Sequence, residues 1–125
     1  MSKPAFESLL ARARRRLEGD ARELSPCEAA RTTFAIQPSG DITPCVQSAS
    51  QVMGNVRQRP VADIWRDSTV GTSFRALSQQ SFADANDECA TCPFQKLCQR
   101  CAAFSLAETG SLTGRVEQLC TTTKI

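Results

Sequence analysis

The chain has 125 residues, with 15 Lys and Arg against 13 Asp and Glu and a formal net charge of +2, a balance too even to indicate nucleic acid by itself. One ordinary domain is expected at this length, burying roughly two thirds of its unfolded surface, and no run of 18 apolar residues is present to make a spanning helix. Seven cysteines without a single histidine exclude a Cys2His2 finger, a Cys-His or Ser-His catalytic pair and haem attachment.

From Pro4 to about Glu18 the apolar residues Phe6, Leu9, Leu10, Ala13 and Leu17 recur at three and four residues, which predicts an amphipathic helix ending at Gly19. Arg14, Arg15 and Arg16 fall in its last turn, where cations complement the carbonyl end of the helix dipole. The same run could instead face an acidic partner. Residues 1–26 thus read as an N-terminal helix with a polar connection. The opening Met-Ser-Lys-Pro-Ala-Phe carries no apolar h-region and the cysteine count is odd, so a reducing, cytoplasmic setting without a membrane is expected.

Thr32 to Ile36 and Ile42 to Val46 are β-rich runs joined by Gln37-Pro-Ser-Gly-Asp41, which predicts a hairpin. Cys27 lies just before its first strand and Cys45 just past its second, so antiparallel pairing carries both thiols to one end, as a shared metal site requires. Small buried hydrophobes are the alternative fate of these two cysteines.

Further on, Met53 to Arg57 reads as a short strand or turn, and Pro60 opens a helix placing Val61, Ile64 and Trp65 on one face. Val70, Phe74 and Leu77 predict a second short helix, with Trp65 and Phe74 in the core. Asp84, Asp87 and Glu88 form an acidic lead into Cys89.

Cys89-Ala-Thr-Cys92-Pro-Phe-Gln-Lys-Leu-Cys98-Gln-Arg-Cys101 packs four thiols into thirteen residues. A pair separated by two residues can turn both sulfurs toward one metal centre, whereas adjacent disulfides at that spacing would be strained. With thiolate as the only soft ligand available, zinc or an iron-sulfur cluster is the suitable occupant. Ala102 to Glu108 predicts a helix closed by Thr109-Gly110, and a turn-rich segment leads to Cys120 and a polar tail, 121–125, with the character of a frayed terminus. The fold class expected is α+β: a small cysteine-rich domain with a β-hairpin and several short helices around one or two metal clusters.

The order of Cys27, Gly40, Cys45, Cys89-x2-Cys92-x5-Cys98, Cys101 and Cys120 resembles the seven-cysteine SPASM domain of radical S-adenosylmethionine enzymes. Ile36-x-Pro-x-Gly-Asp-Ile-x-Pro-Cys45, Gly54-Asn-Val-Arg57, Asp63-Ile-Trp65 and Cys92-Pro-Phe94 support the resemblance, which spans residues 27–120. It implies auxiliary 4Fe-4S clusters in peptide or protein maturation, with Cys27, Cys45 and Cys101 on a first cluster and Cys89, Cys92, Cys98 and Cys120 on a second. The family's further cysteine upstream of Cys27 has no counterpart in Ala21 to Pro26, and only Gln99 and Arg100 separate Cys98 from Cys101, where three residues are usual.

The radical core's Cys-x3-Cys-x2-Cys occurs nowhere in the chain, so an auxiliary role beside a radical S-adenosylmethionine core protein or its peptide substrate is expected, with no enzyme activity of the chain alone. A competing reading is a zinc-stabilised peptide- or protein-binding module in which Cys89, Cys92, Cys98 and Cys101 form one structural site and Cys120 is idle. A free-standing ferredoxin-like carrier is a third.

Overall fold

The computed structural model of the protein describes residues 2–124. Met1, the first residue of the expected N-terminal segment, and Ile125, the last of the expected tail, lie outside the described residues. The fold is small and α+β, with a three-stranded antiparallel sheet, one longer N-terminal helix and several short helices.

Helix α1 (Lys3–Glu18) has Pro in its first turn, where no backbone N–H is needed, and stops at Gly19, whose N–H donates to the Arg15 and Arg16 carbonyls. Its apolar stripe lies at the expected positions, yet the helix buries no residue, and Phe6, Leu9, Leu10 and Leu17 stay exposed. Its C-terminal end is tied down: Arg16 Nε donates to the Lys96 carbonyl at 2.9 Å, and Lys96 Nζ to the Leu17 carbonyl at 3.0 Å.

The sheet runs in the order β1 (Ala35–Ile36), β2 (Asp41–Thr43), β3 (Gly54–Asn55). Ala35 pairs with Thr43 and Ile36 with Ile42, while Asp41 pairs with Asn55 and Ile42 with Gly54. The expected hairpin forms, but its strands are shorter than the β-rich runs. Pro44 has no N–H to extend β2, and the Thr33 amide and hydroxyl both turn back to the Glu28 carbonyl. Gly40, at φ 90°, makes the hairpin turn, donating to Gln37 O at 2.8 Å.

Helices α2 (Val61–Asp67) and α3 (Thr69–Arg75) bring Ile64 and Phe74 into one core with Ile42 of the sheet. Ile42, Met53, Ile64, Phe74 and Leu77 join Ala29, Ala30 and Ala102 in the main core. Phe74 is buried as expected. Trp65 is half-buried, its ring 5.7 Å from that of Phe34 and 5.3 Å from the Arg75 guanidinium, since its place is at the edge of the core and not its centre.

The acidic lead before Cys89 is helical: α4 (Gln79–Ala85) begins with a Ser78 and Ser81 capping box, and α5 (Asp87–Ala90) follows after Asn86. Helix α6 (Ala102–Thr109) closes at Gly110 with φ 77°, as expected. The C-terminal segment departs from a frayed tail, because α7 (Glu117–Lys124) carries Cys120 and continues through Thr121, Thr122 and Thr123. Those threonine hydroxyls donate to carbonyls four residues back, which absorbs their polarity within the helix.

Candidate metal centres

The seven cysteines are all free thiols, and four of them gather around one cavity. Cys27 precedes an irregular turn in which Ala30 takes φ 56° and donates its N–H to both Thr33 O and Pro44 O. The bond to Pro44 O, at 3.1 Å, fastens the Cys27 segment beside the exit of β2, next to Cys45. The two thiols therefore approach through this turn more than through strand pairing. Cys45 is held in turn by Ser48, whose Oγ accepts from the Cys45 N–H at 3.0 Å.

Burial pushes the Cys27 thiol above its ordinary pKa; the Ala29 backbone N–H opposes this, and the neighbouring charges of Cys101, Cys45 and Glu28 add to it. Cys45 and Cys101 thus each lie within electrostatic reach of Cys27. Cys101 stands at the N-terminus of α6, its Sγ 3.5 Å from Gln47 Oε1.

Cys89, Cys92, Cys98 and Cys120 line one cavity with Glu88, Arg100 and Arg115, a lining that does not include Cys101. Cys89 comes from α5 and Cys120 from α7. Between Cys89 and Cys98 the chain coils through successive turns, with Cys92 N donating to Cys89 O at 3.3 Å and Cys98 N to Phe94 O at 2.9 Å. Backbone at Cys101 is extended, and its side chain lies outside the lining that Cys98 shares with Cys89, Cys92 and Cys120, although only two residues separate Cys98 from Cys101.

Burial also raises the Cys120 thiol; Arg115 opposes that shift, and Cys89, Cys98 and Glu117 reinforce it. Arg115 itself is paired with Glu88 at 2.7 Å and with Glu117. The Thr123 hydroxyl lies 3.4 Å from Cys98 Sγ, giving α7 a second tie to this cavity.

Sequence reasoning overlooked Gln79, Arg100, Arg115 and Thr123. A cation inside the cysteine run was a visible signal for Arg100, whereas Gln79 lies ten residues before Cys89 and carries no pattern. Among the described residues, no three His, Cys, Asp or Glu side chains gather around the position of a single metal ion. A donor set made only of thiols, half-buried or buried and converging from three parts of the chain, is chemically suited to iron-sulfur clusters.

A family model described as SPASM, an iron-sulfur cluster-binding domain, matches residues 27–93, just over half of the chain. Neither the curated proteins nor the solved structures gave a match.

Proposed function

We infer the function from this premise: the chain belongs to the SPASM family of iron-sulfur cluster-binding domains. It is an iron-sulfur binding module, and we propose that it holds two auxiliary 4Fe-4S clusters. Cys27, Cys45 and Cys101 serve the first, while Cys89, Cys92, Cys98 and Cys120 serve the second. The module acts beside a radical S-adenosylmethionine enzyme in peptide or protein maturation, conducting electrons or holding substrate near the radical core.

The observation that carries the ligand assignment is the company kept by Cys120. It shares a cavity with Cys89, Cys92 and Cys98, whereas Cys101 is absent from that lining and lies near enough to Cys27 to help raise its thiol. A single zinc knuckle would need Cys101 in the place that Cys120 occupies. When loaded, the clusters supply one-electron redox chemistry; the chain contributes thiolates, their spacing and the polar groups that bond to them.

The test is iron, sulfide and zinc analysis of anaerobically purified protein, alongside Cys101→Ala and Cys120→Ala. Each substitution should remove a different cluster's share of the iron. Zinc in place of iron, or full metal content in Cys120→Ala, would defeat the proposal. For the partnership, peptide modification by a radical enzyme supplied in trans should fail with the cluster-free protein, and unchanged turnover would remove the auxiliary role.

A further inference from the structure

Arg100 is only 8% exposed, and no carboxylate pairs with it among the described residues. Burying a guanidinium is costly unless its charge is answered. Its Nε donates to Gln79 Oε1 at 2.7 Å, one terminal nitrogen donates to Cys89 Sγ at 3.2 Å, and the group lies 4.7 Å from the centre of the Phe82 ring. Gln79 is fully buried, and its amide nitrogen donates to the Cys98 carbonyl at 2.9 Å. One buried side chain therefore clamps both the cation and the backbone of a second cysteine. Arg115, the other arginine lining the cavity, is already answered by Glu88 and Glu117. Arg100 is left facing sulfur.

We propose that Arg100 is the built-in counter-charge of the Cys89, Cys92, Cys98 and Cys120 site, a positioning residue that raises the reduction potential of the cluster held there. The inference rests on the ligand reading given above. Its physical basis is general: reduction adds negative charge, and a fixed cation donating a hydrogen bond to a ligand sulfur stabilises the reduced form more than the oxidised one. Potential is set by such bonds and by the net charge around the cluster as much as by the ligands. The guanidinium stays charged throughout, so the effect needs no protonation change.

The experiment compares wild type, Arg100→Gln, Arg100→Lys and Cys89→Ala as full chains reconstituted anaerobically. Iron and sulfide are measured per chain, and dithionite titrations are followed by electron paramagnetic resonance. Cys89→Ala should lose one cluster and thereby identify its signal. In Arg100→Gln the midpoint of that cluster should fall by at least the equivalent of a tenfold change in the reduction equilibrium, about 59 mV for one electron, with the other cluster unmoved.

Arg100→Lys, which keeps the charge, should retain most of the wild-type potential. An unmoved midpoint in Arg100→Gln overturns the proposal. So does an Arg100→Lys midpoint that falls as far as that of Arg100→Gln, which would assign the effect to packing. If Arg100→Gln holds no iron in this site, a loaded Arg100→Lys at the wild-type potential still supports the charge, and an empty Arg100→Lys refutes it. Full iron in Cys89→Ala would instead sink the ligand reading, independently of Arg100.

Discussion

Gln79 shows how much of the second centre depends on a residue that is not a ligand. It is buried without exposed surface and satisfies Arg100 Nε and the Cys98 carbonyl together. Gln79→Leu keeps a similar volume but leaves both groups without that partner, and each buried orphan costs about 1–3 kcal/mol. Denaturant unfolding of the cluster-free variant should show a loss in that range, with iron retention reduced in the second site alone. A midpoint equal to wild type would mean that water or a shifted neighbour takes over the glutamine's role. The cysteines were legible because thiolate spacing is a chemical constraint written in sequence. Gln79 and Arg100 were not, since a long-range hydrogen bond between polar residues leaves no periodicity to read.

At the scale of elements, the hairpin turn and the sheet fix the exit of β2, from which Cys45 follows and to which the Cys27 segment is fastened, at the proposed first centre. Gly40 has φ 90°, and a Cβ there would lie 3.0 Å from Asn55 Oδ1. Gly40→Ala should cost roughly 1–2 kcal/mol from the left-handed backbone, with a further penalty from displacing Asn55, whose amide donates to Asp41 Oδ1 at 2.9 Å and joins β3 to β2. Gly110, with φ 77° and open space where a Cβ would project, provides the comparison. Gly110→Ala should carry the backbone cost alone. Thermal unfolding should therefore rank Gly40→Ala below Gly110→Ala, and iron loss from the Cys27, Cys45 and Cys101 site should follow the first substitution only; equal effects from both would detach the turn from the site.

Element types were readable wherever local chemistry decides them, as with Pro at the start of α1, glycine after α6 and the Gln37 to Asp41 turn. They were misread where side chains redirect the backbone. The amides of Thr32 and Thr33 bond back to the Glu28 carbonyl instead of extending β1, with their hydroxyls reinforcing the turn, and Ser78 with Ser81 caps a helix in what the charges suggested was only an acidic lead. The apolar stripe of α1 predicted the helix correctly but could not tell that its face is left uncovered.

Across the whole molecule, stability is unevenly distributed. The main core joins the sheet to α2 and α3 through Ile42, Met53, Ile64 and Phe74, and Cys27 and Cys45 pack against it. The proposed second centre has less apolar support, with Phe82, Cys89 and Cys98 as the buried apolar residues lining its region, while α7, which brings Cys120, buries no residue. Structural metal sites can contribute on the order of 10 kcal/mol to folding, so the region with the smaller core should depend more on its cluster. Removing iron with a chelator under anaerobic conditions should therefore loosen residues 89–124 before the sheet. Hydrogen exchange would show this as early loss of amide protection at Cys98 and Cys120, while Ile64 and Met53 remain protected, because local opening follows local burial and bonding. Simultaneous loss at all four positions would mean that the two halves unfold as one cooperative unit and that the second cluster does not stabilise its surroundings selectively.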